Sequence, residues 1–246
     1  MLIKEDLHFH STFSDGANTP RENIEKAIER GLERVCCVDH VRRDTSYLQE
    51  YARTVGDLRN RFDGILSIHA GVEAKLLNES GYLDMPELPE GIDFVYAADH
   101  QFPIGDGFYG PSVVRNALRR GEIERDHLVA SLVNATLNTM KRHDNLVLAH
   151  LFSILPKVGL DENQVPAVYL SLIGQVAREN GVAIEISERW KCPSLRAARI
   201  FVQEGVRIVY STDAHRMEDI GQYSYAAAIA EQLRVPAIPR IKLIAA

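Results

Sequence analysis

Short apolar runs of strand length alternate with amphipathic stretches along most of this chain. The first run covers residues 2–10. The second, Arg34-Val35-Cys36-Cys37-Val38-Asp39-His40, is nearly continuous, as expected of a strand buried on both faces. Further runs cover 65–73, 93–100, 146–150, 182–187 and 206–211. Between the first two, Ile24, Ala27, Ile28 and Leu32 recur at helical spacing after Thr19-Pro20, an N-cap followed by a first-turn proline, and Gly31 marks the end. Leu48, Tyr51, Ala52, Val55, Leu58 and Phe62 predict a second helix over 46–62, and similar patterns predict helices over 123–142, 162–180, 194–205 and 221–233. The tail beyond is apolar and punctuated by proline.

Strands that alternate with helices imply right-handed crossovers and a parallel sheet, so the class is α/β. A closed, TIM-like barrel is expected rather than an open doubly wound sheet. In a barrel, side chains from the C-terminal ends of many strands meet around one axis, and six of the seven runs here end in a potential metal ligand. The stretch 101–122, rich in Gly, Phe, Tyr and Pro, reads as a long loop and a substrate-facing lid. No linker-like change of composition divides the chain, so residues 1–246 are expected to form one domain.

Composition narrows the class of partner. With 46% hydrophobic and 25% charged residues in 246, the chain is ordinary globular material, and its net charge of −6 offers no basic surplus for nucleic acid. Three cysteines, two of them adjacent, cannot build a disulfide framework and suggest a reducing compartment. Neither a secretory leader nor a membrane-spanning run is visible, so a cytoplasmic protein without a membrane partner is expected.

The candidate chemistry lies at the ends of the runs. His8 and His10, at i and i+2 in a strand, share a face and can offer two imidazoles to one ion, which alone is only suggestive. Collecting the other run ends yields His8, His10, Asp15, His40, Glu73, His100, His150, Asp213 and His215, which include most of the nine histidines. Nine ligands exceed the needs of one ion and imply two or three, with a carboxylate such as Glu73 bridging. Nitrogen and oxygen donors without thiolates suit Zn, Mn or Fe(II), and clustered ions of this kind activate water for hydrolysis.

In order and spacing, His8-Phe9-His10-Ser11-Thr12-Phe13-Ser14-Asp15-Gly16, Val38-Asp39-His40, Gly71-Val72-Glu73, Asp99-His100, Ala149-His150 and Ser211-Thr212-Asp213-Ala214-His215 resemble the motifs of the PHP (polymerase and histidinol phosphatase) family. The resemblance implies a distorted (β/α)7 barrel with a trinuclear site that hydrolyses phosphate esters. It implies His8, His10, Glu73 and Asp213 around a first metal, Glu73 with His100 and His150 around a second, and Asp15, His40 and His215 around a third. A metal-bridging hydroxide near Glu73, Asp213 and His215 would be the nucleophile. Asp99 stands where relatives commonly carry a small residue before the histidine.

Arg189 and Lys191 follow the sixth run, and Arg42 and Arg216 follow His40 and His215; all four are candidate contacts to phosphoryl oxygens. Trp190 reads as loop packing, with stacking on a ring-bearing substrate as its alternative, and His69, His127 and His143 read as structural or solvent-exposed. The expected function is hydrolysis of a small phosphomonoester, histidinol phosphate or a nucleotide among the candidates. A metal-dependent amidohydrolase, a nuclease or phosphodiesterase of the same family, and a metal-stabilised binding barrel are the alternatives.

Overall fold

In the computed structural model, which describes residues 3–233, seven of the apolar runs lie side by side as parallel strands. The first half of the chain reads β1 (Glu5–Phe9), α1 (Pro20–Glu29), β2 (Arg34–His40), α2 (Leu48–Arg61), β3 (Ser67–Lys75) and β4 (Phe94–Ala98). A small hairpin follows, β5 (Phe102–Ile104) and β6 (Gly107–Tyr109), then α3 (Pro111–Arg120) and α4 (Arg125–Arg142). The second half supplies β7 (Leu146–Ala149), α5 (Ala167–Glu179), β8 (Ala183–Ser187), α6 (Leu195–Gln203), β9 (Arg207–Ser211) and α7 (Tyr225–Leu233). Sheet order β1-β2-β3-β4-β7-β8-β9 follows chain order, as right-handed crossovers require.

The seam between β1 and β9 nearly closes the barrel. At the top, Asp213 N donates to His8 O and His10 N to Ala214 O, each at 2.8 Å. Lower down, side chains replace the ladder: Asp6 accepts from Thr212 N at 2.9 Å and Glu5 from Tyr210 N at 3.2 Å. Two buried carboxylates therefore satisfy strand amides that would otherwise be orphaned.

Apolar residues pack on both sides of the sheet. Leu7, Cys36, Val38, Tyr96, Val147 and Val209 fill the barrel interior, while Cys37, Val35, Ile24, Tyr51 and Phe201 join the shell under the helices. The adjacent cysteines thus point to opposite faces, as strand geometry dictates. Gly71 is required inside: a Cβ there would meet Tyr96 at 3.0 Å and Val38 at 3.1 Å. No helix among the described residues is long and apolar enough to cross a membrane.

Local chemistry set several boundaries differently from the pattern. The region 101–122 is not an irregular loop: it folds as the β5–β6 hairpin and α3, whose first residue is Pro111 and whose end is Gly121 at φ 70°. The helix expected over 162–180 is split, because Pro166 disfavours helical backbone at Val165. A short 3-10 turn, Glu162–Gln164, precedes it and α5 starts afterwards. The last helix starts at Tyr225 rather than 221, where Glu188 accepts from the amides of Ser224, Tyr225 and Ala226. The proline-punctuated tail and residue 2 of the first run lie outside the described residues.

Candidate metal centre

All nine candidate ligands converge at the C-terminal mouth of the barrel. His8 lies in β1 with His10 just beyond it, His40 closes β2, and Glu73 sits in β3; His100, His150 and Asp213 follow β4, β7 and β9. His8 Nε2 and His10 Nε2 face each other at 3.1 Å, and Asp213 Oδ1 lies 3.1 Å from His10 Nε2. Two nitrogens about 3.3 Å apart would form one edge of a tetrahedron with bonds near 2.05 Å, so this spacing fits two ligands of one ion.

Glu73 sits at the centre. Its Oε1 lies 2.9 Å from His150 Nε2 and 3.2 Å from His100 Nε2, while Oε2 is 2.7 Å from His40 Nδ1 and 3.7 Å from both His8 and His10 Nε2. Burial alone would raise this carboxyl; hydrogen bonding from the surrounding imidazoles outweighs it and holds Glu73 well below its ordinary value. Asp15, more exposed, lies 3.5 Å from His40 and 3.4 Å from His215. Ligand atoms gather into three overlapping groups: His8, His10 and Asp213; His40, Glu73 and His100; and His10, Asp15, His40 and His215. The buried His10 Nδ1 has no hydrogen-bond partner, and Glu73 Oε2 is approached by imidazole nitrogens of His8, His10 and His40 together, so the donor set fits divalent ions better than a closed protein network.

A second layer aims the imidazoles. His8 Nδ1 donates to Glu185 Oε1 at 2.8 Å, which leaves the Nε2 lone pair facing the centre. His150 Nδ1 lies 2.9 Å from Ser153 Oγ, which donates to Asp99 at 2.7 Å. For His8, burial lowers and Glu185 and Asp213 raise, with a net shift well upward. His150 is likewise depressed by burial but pulled up to about 10 by Asp99 and Glu73. Asp39 accepts from Ser11 N at 2.9 Å and from Ser14 Oγ at 2.5 Å, holding the turn that carries Asp15. His150 and Asp213 adopt left-handed backbone, φ 29° and 53°, a conformation that costs side-chain-bearing residues roughly 1–3 kcal/mol and clusters at functional sites.

The roles of three residues around the centre were not apparent in the sequence. Glu185, fully buried in β8, interrupts an otherwise apolar run, and that interruption was the available signal. Asp99 supports His150 from the position that departs from the family pattern. Trp190, expected to pack a loop, donates from Nε1 to Asp213 Oδ2 at 2.6 Å. Among the basic candidates, Arg189 Nη1 lies 3.2 Å from His215 Nδ1 and 3.5 Å from the Asp213 carbonyl oxygen. Arg42 lines a cavity beside His40 and His100. Arg216 turns to Glu218 at 3.7 Å, and Lys191 is exposed with no ion pair among the described residues. His69 lies 3.8 Å from Asp93, and neither His127 nor His143 joins the ligand groups.

Known proteins resemble this chain over most of its length. A probable phosphatase of Caldanaerobacter subterraneus subsp. tengcongensis is 25% identical over 244 residues, 94% of this chain and 84% of the relative. Another from Vibrio atlanticus is 25% identical over 246 residues, 96% of this chain and 87% of its own. Among solved structures, a histidinol phosphate phosphatase of Lactococcus lactis subsp. lactis, complexed with zinc, L-histidinol and phosphate, superposes with a TM-score of 0.67. It shares 20% identity over 95% of this chain and 94% of that one, a likeness of fold. Residues 6–189 match the PHP domain model, and with that span, most of the described chain, the protein belongs to the PHP domain family.

Proposed function

We propose that this protein is a metal-dependent phosphomonoesterase acting on a small phosphorylated substrate. The observation that carries the reading is Glu73, a buried carboxylate surrounded by imidazoles from β1, from the end of β2 and from the turns after β4 and β7, beside the three ligand groups that His10 and His40 link. Phosphate-ester hydrolysis develops negative charge on the phosphoryl oxygens and on the leaving alkoxide, so it calls for several cations on a short baseline. When bound, two or three divalent ions would supply the compensating positive charge and acidify a water. Zinc in the Lactococcus structure favours zinc here, and the same donor set suits Mn or Fe(II). The relatives named probable phosphatases support the reaction class.

The chain's own residues divide the remaining work. His8, His10 and Asp213 would hold one ion, Glu73 with His100 and His150 a second, and Asp15, His40 and His215 a third. Glu185, Asp99 and Trp190 fix the orientation of these ligands. Arg189, anchored near the Asp213 carbonyl, has further N–H donors free for phosphoryl oxygens. Asp15 is half exposed at the open side, where the leaving alkoxide can take its proton from solvent.

A net charge of −6 supports a small substrate rather than a nucleic acid track. Three buried free cysteines support the reducing cytoplasm as the working compartment.

Elemental analysis of purified protein is expected to find two or three transition-metal ions per chain. A phosphoester panel with added Zn, Mn or Fe(II) is expected to show monoesters cleaved faster than diesters. Natively folded protein that neither binds these ions nor hydrolyses any monoester overturns the reading.

A further inference from the structure

We propose that Lys75, with Arg42, binds a second anionic group on the leaving-group side of the substrate. The preferred ester is then one whose alcohol carries its own carboxylate or phosphate. This rests on the phosphomonoesterase reading above and specifies its substrate class.

The placement begins in the sequence. Lys75 stands two residues after Glu73 on β3, so both side chains leave the strand on the same face, and β3 ends there. A cavity of 340 Å³ opens at this point, beside Asp15, His40 and His100, with Lys75 and Arg42 on its wall. Pockets for small organic ligands start near 300 Å³, roughly the size needed for the alcohol part of a phosphomonoester. Arg189 lies elsewhere, against His215, and does not line this cavity. Positive charge at the mouth is therefore divided between one place suited to the reacting phosphoryl group and another a short distance from it.

The charges around the cavity favour an anion. Its sole acidic lining residue among those described is Asp15, already 3.5 Å from His40 and 3.4 Å from His215. Neither Lys75 nor Arg42 forms an ion pair among the described residues, although Lys75 is half-buried. An amine-bearing alcohol would meet two like charges here. A neutral one would leave a half-buried ammonium without a partner, whereas a carboxylate or phosphate gains a charge-assisted hydrogen bond.

The test uses metal-loaded protein and equilibrium binding of non-hydrolysable phosphonates by calorimetry. Carboxyalkyl phosphonates are compared with alkyl phosphonates of equal chain length, and alkylene bisphosphonates separate a second phosphoryl group from a carboxylate. At the best chain length the anionic tail is expected to tighten binding about five-fold or more. Lys75→Met should abolish most of that ratio and Lys75→Arg should restore it. The same ratio in kcat/KM, between esters with and without the second anion, should fall through KM. Because each ratio is taken on one preparation, a partly misfolded variant does not mimic the result. A wild-type ratio near one, or a ratio that survives Lys75→Met because the ions themselves hold the tail, overturns the proposal. Absence of hydrolysis of every monoester would instead overturn the underlying reading.

Discussion

Trp190 Nε1 donates a 2.6 Å hydrogen bond to Asp213 Oδ2, while the other carboxylate oxygen of Asp213 faces His10 Nε2 at 3.1 Å. One oxygen is held by the loop after β8 and the other is left for the ligand cluster. Lys157 Nζ sits 4.6 Å over the indole ring and steadies it from outside.

Trp190→Phe keeps the ring and deletes the donor. Loss of such a supporting hydrogen bond commonly weakens metal affinity about 10-fold or more. Chelator competition is expected to show that loss, with the far-UV spectrum unchanged. Since Trp190 is the sole tryptophan, its emission in the native protein should change as metal is added.

Glu185 joins three elements: it accepts from His8 Nδ1 at 2.8 Å, His150 N at 2.6 Å and Ser211 Oγ at 2.5 Å. Glu185→Ala strands three buried donors and is expected to destabilise the fold by about 3 kcal/mol. Glu185→Gln, which keeps an acceptor, should unfold at a temperature between Ala and native. Equal melting temperatures for native and Glu185→Ala would refute this role.

Gly16 has no room for a side chain. A Cβ would lie 2.5 Å from both C and O of His10 and 2.6 Å from Ser11 N, and backbone cannot step aside as a side-chain end can. Gly16→Ala should therefore displace the turn that carries Asp15 and lower metal content per chain. Retention of the native metal stoichiometry by Gly16→Ala would show that the turn relaxes at no cost to the site.

In metal-free protein, pH acts through the imidazoles. The folded-state pKa of His150 is raised from 6.5 to about 10, so the stability its protonation contributes is fully present below 6.5 and is lost as pH rises towards 10. His8 and His40 are also shifted upward, each against the lowering effect of burial, and add to the same trend. Glu73, shifted downward, contributes in the opposite direction: its stabilisation is present above its ordinary value of 4.5 and is lost in acid. Chelated protein is thus expected to melt at lower temperature as pH rises above 6.5. Metal-loaded protein should resist that decline, because bound ions need the imidazoles neutral.

Much of the site could be read locally. A strand that ends in histidine, or a His8-x-His10 pair on one face, obeys a two-residue period, and that period survives folding. The parallel sheet followed from the alternation of runs and crossover handedness, and its closure as a barrel from potential ligands at the ends of six runs. Glu185 was harder to find because one carboxylate among Ala183, Ile184 and Ile186 reads locally as a flaw in a buried strand. Only its neighbours across the barrel make it a partner of His8. For 101–122, Pro111, Gly121 and the spacing of Val114, Ala117 and Leu118 were all present, but a ten-residue helix is a weak pattern beside so many turn residues.

The sequence by itself therefore determined the chemical character of the mouth: which strands carry imidazole or carboxylate at their ends, and that these donors suit hard or borderline divalent ions. Tertiary structure alone decided which donors meet. His10 and Asp213 are 203 residues apart and come within 3.1 Å only because the β1–β9 seam closes. Trp190 reaches Asp213 because β8 pairs with β9, and Lys75 reaches the cavity beside His40 because β3 pairs with β2. Periodicity says which face a side chain leaves, while the distance between two such faces depends on strand order, register and closure, which no local pattern encodes.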